Sequence, residues 1–342
     1  MSHSVVIGGA GFVGSWVVSE ILKDPNAQVT IIDNLLSSEK WNISSDSRVT
    51  FLEGSAAEIA TYEKISGHVD FLYQLACFHG NQSSIIRPLD DLENGLKTTL
   101  VSLEWVRVKS PKTRVIYSGA GCAVAEKTWV APQAVKEIDS TSLHHDSPYS
   151  ISKITGEMYC LFYVNHHGLD VVRVRFQNVF GPREILGAGV WRGNQNTIWR
   201  NVIPTFIYKA LNEVDLEIYG NKASRDFIYV EDIAKGVIAA KNFGMAGEVY
   251  NLASGYETEI ERLAQMILNL TESKSKIIFK DRRSWDNSGR RMGDISKANN
   301  LLQFNAQVEL RDGLINTIKW TKENLNKIDS SIMKHSSQFS IC

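Results

Sequence analysis

An apolar run that breaks into glycines opens the chain: Val5-Val6-Ile7-Gly8-Gly9-Ala10-Gly11-Phe12-Val13-Gly14. A β-run without polar alternation reads as a strand covered on both faces, which belongs in a parallel α/β sheet. The glycines at 8, 11 and 14 then make a tight turn into a helix starting at Phe12. Backbone N–H groups there can close on an anion such as a dinucleotide pyrophosphate. Asp33 ends the next strand candidate, about 20 residues on, where a carboxylate can accept hydrogen bonds from a ribose. No arginine follows it at once to neutralise a 2′-phosphate, so NAD is expected rather than NADP. Phe12, Val13 and Asn34 are expected to line the same pocket.

Downstream, strands and amphipathic stretches alternate. Strand candidates are Ser4–Ile7, Gln28–Ile32, Val49–Leu52, Phe71–Leu75, Arg114–Tyr117 and Val171–Arg175. Helices are expected over Phe12–Lys23, Leu92–Val108 and Ser147–His166, the second with Leu92, Leu96, Leu100 and Leu103 on one stripe. Right-handed crossovers make this a Rossmann-type doubly wound parallel sheet with a ligand crevice at the strand C-termini. Past Gly181-Pro182 the texture becomes loop-like up to Pro204, and a smaller C-terminal α+β part follows. The expected division is a dinucleotide-binding half over 1–180, with 226–253 returning to it. Residues 181–225 and 254–325 then form a substrate half, and 326–342 a flexible polar tail.

Tyr149-Ser150-Ile151-Ser152-Lys153 places a phenol and an ammonium four residues apart, hence on one helix face. Beside a nicotinamide cofactor that pair is a workable acid/base. The net charge of −1 gives no pull towards nucleic acid or an anionic membrane. No apolar stretch approaches the ~20 residues that span a bilayer, and no basic leader precedes the first strand, so a cytoplasmic enzyme is expected. Cys77, Cys122, Cys160 and Cys342 are few and irregularly spaced, as reduced thiols are. His144, His145, His166 and His167 are paired neighbours that point apart, and no metal is expected.

Together these residues resemble the extended short-chain dehydrogenase/reductase family of nucleotide-sugar epimerases and dehydratases, over roughly Val5 to Trp320. Leu75-Ala76 matches its Leu-Ala along the cofactor; Pro88 and Asn94 match its Pro…Asn spacing; Tyr149 and Lys153 match its Tyr-x-x-x-Lys. Arg175-Phe176-Gln177-Asn178-Val179-Phe180-Gly181-Pro182 resembles its Arg-Tyr-Phe-Asn-Val-Tyr-Gly-Pro, whose asparagine faces the substrate. Arg225-Asp226-Phe227-Ile228-Tyr229-Val230 matches a run whose arginine grips the substrate diphosphate, and Asn251-Leu252-Ala253-Ser254-Gly255 a strand end. Arg283 with Asp286 resembles a second phosphate-binding motif. The resemblance implies an NAD-dependent epimerase acting on a nucleotide-diphosphate sugar through a transient 4-keto intermediate. It also implies a homodimer joined by the Leu92–Val108 and Ser147–His166 helices. Tyr149 would take the hydroxyl proton and Lys153 would favour its phenolate. Trp191, Trp199 and Tyr219 are candidates to stack on a base or sugar.

Two departures from the family pattern stand out. Ala120 occupies the place of the usual Ser or Thr, and the nearest hydroxyl, Ser118, falls two residues early. Cys122 sits where related 3,5-epimerases carry a cysteine that works as a carbon acid/base, but Asn201 replaces the proton-transferring partner, which favours a single inversion. A 4,6-dehydratase or decarboxylase of the same architecture is the alternative, and a non-catalytic NAD-binding sensor the second.

Overall fold

The computed structural model describes residues 2–78, 80–121, 129–130, 132–139, 145–184, 201–220, 222–283, 286 and 289–339. In chain order the strands are β1 (Ser2–Ile7), β2 (Ala27–Asp33), β3 (Val49–Glu53), β4 (Phe71–Gln74), β5 (Arg114–Ala120), β6 (Ala134–Val135) and β7 (Val171–Phe176). There follow β8 (Asn178–Phe180), β9 (Leu216–Tyr219), β10 (Ser224–Tyr229), β11 (Val249–Leu252), β12 (Glu257–Glu259), β13 (Ile277–Lys280) and β14 (Met292–Gly293).

Seven strands form one parallel sheet in the order β3-β2-β1-β4-β5-β7-β11. Register is set by apolar pairs such as Ile7↔Ile32 and Leu72↔Val115. Val5, Val6 and Ile7 are fully buried, the outcome a two-faced apolar strand demands. One face of the sheet is covered by the Phe12–Ile21 and Val230–Phe243 helices, whose Val17, Val18, Ile233 and Val237 share a core with Val6 and Ile116. The other face carries Leu103, Val106, Cys160 and Tyr163 from the Thr98–Lys109 and Pro148–His167 helices. Strand order reverses between β1 and β4, so the loops after them diverge and leave a crevice at that switch point.

A second core lies beyond the sheet. Ile203, Phe206 and Ile207 of the Val202–Leu211 helix meet Leu263, Ile267, Leu314 and Ile318, with β8, β9 and β10 alongside. The Ser296–Leu302 helix lies between elements of the second core in the chain's order. Its Ala298 and Leu302, with Phe304, pack into the main core with Tyr250 and Leu252 rather than into this second one.

Two expectations are corrected. The stretch read as one helix over Leu92–Val108 is wound as a π-helix from Leu92 to Lys97 and becomes α-helical only at Thr98. Gly95 weakens the first turns, and Thr98 Oγ1 bonds back to the Gly95 carbonyl at 2.7 Å. The wider winding rotates the leucine stripe, so Leu103 is buried while Leu92 is half exposed. The polar tail is not loose either: Leu325–Phe339 is a helix that buries Ile328 and Ile332. Those two isoleucines are four apart, a spacing obscured by the Ser and Lys around them.

Candidate active site

The turn after β1 is built by close approach. Gly8 has φ +81°, and a Cβ on it would stand 2.9 Å from the Ala76 nitrogen; a Cβ on Gly14 would stand 2.1 Å from the Gly8 carbonyl oxygen. Only glycines let the strand end, the helix start and the loop after β4 share this space. Asp33 ties the turn to the next loop: its Oδ2 accepts the Ala10 N–H (3.1 Å), and its Oδ1 accepts the Leu35 N–H (2.9 Å) and the Ser38 hydroxyl (2.8 Å). Burial pushes the Asp33 carboxyl above the usual carboxylate value, and these donors oppose the shift. A pocket of about 140 Å³ is lined here by Gly8, Gly11, Phe12, Val13, Gly14, Asp33, Asn34, Leu75 and Ala76. Asn34 Nδ2 donates to Asn94 Oδ1 (3.0 Å) across its edge.

Phe12, Val13, Leu75 and Cys77 are shared with a larger cavity of about 920 Å³. Tyr149 and Lys153 reach it from the first turns of the Pro148–His167 helix. Ser147 caps that helix, accepting the Ser150 N–H at 3.3 Å and donating to Asn81 Oδ1 at 2.9 Å. The Tyr149 N–H donates to Ser84 Oγ at 3.1 Å, so the Gly80–Ile86 helix holds this N-terminus. Lys153 is buried; its Nζ donates to the Ser118 carbonyl (2.7 Å), lies 3.3 Å from Ser118 Oγ and stands 6.0 Å from the Tyr149 ring centre. Ser118 Oγ itself donates to the Gln74 carbonyl at 3.0 Å. Ala120 packs with Val135 and Ile154 against Tyr149, so the usual hydroxyl position is an apolar wall.

The same cavity is also lined by Asn178, Arg225, Arg283 and Asp286. Arg225 donates to the carbonyls of Ser224 and Gly289, both at 2.7 Å, and the Arg283 guanidinium lies 3.9 Å over the Tyr219 ring. Asn178 Nδ2 donates to the Asp226 carbonyl at 3.3 Å. Asp226 is itself fully buried, and its carboxylate collects the N–H groups of Ser254, Gly255 and Gly293. Burial raises its pKa against those donors.

The structure thus brings Tyr149, Lys153, Ser118, Asn178, Arg225, Arg283 and Asp286 to one cavity, and the glycine turn, Asp33, Asn34, Leu75 and Ala76 to the adjoining pocket. Cys122, His144, Trp191 and Trp199 lie outside the described residues. Among the lining residues that sequence reasoning did not single out are Gln177, Arg183 and Arg291. A polar Gln177 at the end of an apolar strand was a readable signal; Arg183 and Arg291 carried none.

The sequence pattern of the NAD-dependent epimerase/dehydratase family matches residues 4–253. A crystal structure of the Bordetella bronchiseptica enzyme WbmF with NAD+ and UDP is 46% identical and superposes with a TM-score of 0.86, covering 99% of this chain and 97% of that one. The epimerase Mth375 of Methanothermobacter thermautotrophicus is 34% identical at a TM-score of 0.86, covering 96% and 95%. A UDP-N-acetyl-alpha-D-glucosaminuronate decarboxylase of Bacillus cytotoxicus is 28% identical over 326 residues, 93% of this chain and 97% of its own. The match spans well over half of the chain, and the chain belongs to the NAD-dependent epimerase/dehydratase family.

Proposed function

We propose that this enzyme epimerises a UDP-linked sugar through a transient 4-keto intermediate, with Tyr149 as the group that moves the hydroxyl proton. One observation carries the reading: a single cavity is lined both by Tyr149 and Lys153 and by Arg225 and Arg283. A sugar diphosphate needs both, an acid/base at the sugar and planar cationic donors at the diphosphate. The glycine turn fits a dinucleotide, since side chains at 8 or 14 would fill the cradle. NAD held by Gly8, Gly11, Gly14 and Asp33 supplies the ring that accepts and returns two electrons with hydrogen.

The chain's own residues do the rest. Tyr149 removes the C4 hydroxyl proton and later restores it. Lys153 favours the phenolate electrostatically, and Ser118 holds Lys153 rather than the sugar, because its hydroxyl is committed to the Gln74 carbonyl. With Ala120 apolar, no hydroxyl from that position shares the proton. Cys122 remains our candidate for proton transfer at a neighbouring carbon. We assign 1–180 with 226–253 to the cofactor and 181–225 with 254–325 to the substrate, and we place a homodimer in the cytoplasm. No helix among the described residues is long and apolar enough to cross a membrane.

NMR of purified enzyme with a panel of UDP-sugars is expected to show interconversion of two epimers and no net redox. No change in any donor, with NAD retained, defeats the proposal. Accumulation of a deoxy or decarboxylated 4-keto product would replace epimerisation by the dehydratase or decarboxylase alternative. Tyr149→Phe is expected to slow turnover about 10²–10⁴-fold with NAD still bound.

A further inference from the structure

The Leu325–Phe339 helix follows directly on the Leu310–Glu323 helix, whose Leu314 and Ile318 belong to the second core. Its Ile328 and Ile332, four apart, are 1% and 2% exposed and form its buried face. Lys327, Ser331 and Lys334 fall at i, i+4 and i+7, on one flank of that face, and Asp329 falls on the other.

Each flank meets a different half of the molecule. On the first, Ser331 Oγ donates to Glu39 Oε1 at 3.2 Å and Lys334 Nζ pairs with Glu39 Oε2 at 3.1 Å. Lys327 Nζ stands 5.1 Å over the Trp41 ring. The Glu39 side chain is only 12% exposed, so its contacts are made largely out of water, where they are stronger. On the second flank, Asp329 Oδ1 accepts the Tyr208 hydroxyl at 2.7 Å, from the Val202–Leu211 helix. That helix lines the large cavity through Val202, Thr205, Phe206 and Lys209, whereas Tyr208 lines neither that cavity nor the cofactor pocket.

The loop between β2 and β3 that carries Glu39 and Trp41 also lines the cofactor pocket, through Leu36, Ser37, Ser38 and Asn42. Asn42 Nδ2 donates to the Ala10 carbonyl of the glycine turn at 3.1 Å, and Ser38 is tied to Asp33. Leu35 enters this loop at φ +56°, a left-handed conformation that a leucine adopts only at a cost. Local preference therefore works against the shape that borders the pocket, and a support pressed against Glu39 offsets that cost.

We propose that the C-terminal helix is a strap that holds the loop after β2 closed over NAD. Its anchor on the substrate half is the Tyr208–Asp329 bond, and its hold sets how fast the cofactor leaves. Glu39 is a positioning residue for NAD, acting through the loop. The proposal needs the cofactor alone and stands apart from the sugar assigned above.

Exchange of bound radiolabelled NAD+ against excess unlabelled NAD+ tests it on the full-length protein. Glu39→Ala and Asp329→Ala are each expected to release the label about threefold or more faster than wild type, the worth of roughly one lost hydrogen bond. Asp329→Asn keeps an oxygen for the Tyr208 hydroxyl and should release NAD at close to the wild-type rate. So should Asn326→Ala, which is exposed on the same helix. Faster release from Glu39→Ala alone would confine the effect to the loop and overturn the strap. Wild-type release from both alanine variants would overturn it as well. Thermal melts of the NAD-free proteins separate retention from stability. If Asp329→Ala and Asp329→Asn both melted far below wild type, the Tyr208–Asp329 bond would be a support of the whole fold, and the proposal would fall.

Discussion

Ser118 shows how much a single side chain's commitments decide. By sequence it is the hydroxyl closest to the expected catalytic position, yet its proton is given to the Gln74 carbonyl and its oxygen lies beside the Lys153 ammonium. We therefore assign it to positioning Lys153. Ser118→Ala is expected to lower kcat by less than about tenfold, since it removes one neutral hydrogen bond. A loss of about 10²–10⁴, measured with the substrate identified by NMR, would make Ser118 a direct proton-transfer partner instead. Residue identity placed Tyr149 and Lys153 on one helix face. It was silent on Ser118, because a hydroxyl's partner depends on what the next strand presents.

At the level of elements, strands β10 and β12 hold the 289–293 stretch, which carries the cavity-lining Arg291. Glu257 on β12 pairs with Arg290 and accepts the Ser224 hydroxyl, which pins the start of the 289–293 segment. The Arg290 guanidinium, with desolvation opposing, holds the Glu257 carboxyl below its ordinary value of 4.5. A carboxyl lowered in the folded state binds fewer protons there, so its stabilisation is present above pH 4.5 and is lost as pH falls through the lowered folded value. Glu257→Gln is expected to cost about 1 kcal/mol at pH 7, and the gap from wild type should close in thermal melts taken below pH 4.5. The π-turn at Leu92–Lys97 and the short β12 were illegible in sequence. Helical periodicity tolerates a one-residue widening, and a three-residue strand shows too little alternation to register.

Over the whole molecule, two surfaces carry consequences. Leu92, Ile151, Met158 and Phe162 are each about half exposed, on the helical pair that we assign to a homodimer. Met158→Glu is expected to yield monomers in sedimentation velocity where the wild type sediments as a dimer. The C-terminal helix reaches the loop after β2, part of which lines the cofactor pocket: Lys334 pairs with Glu39 at 3.1 Å, while Trp320 of the preceding Leu310–Glu323 helix stacks on Trp41 with ring centres 6.2 Å apart. Ile332 is 2% exposed, so Ile332→Ala should destabilise by about 2–5 kcal/mol in denaturant unfolding; no change would mean that the helix does not dock.

The amino-acid order alone determined the doubly wound sheet, the glycine turn and the pairing of Tyr149 with Lys153. Each depends on spacing within one element or on the space that only glycine leaves. Only the tertiary structure decided that Ala120 faces Tyr149 as an apolar wall, that Ala298, Leu302 and Phe304 join the main core, and that Arg291 stands buried on the cavity wall. A guanidinium's meaning lies in which charges surround it. Those neighbours come from strands and loops far apart in the chain, so no local pattern could have recorded them.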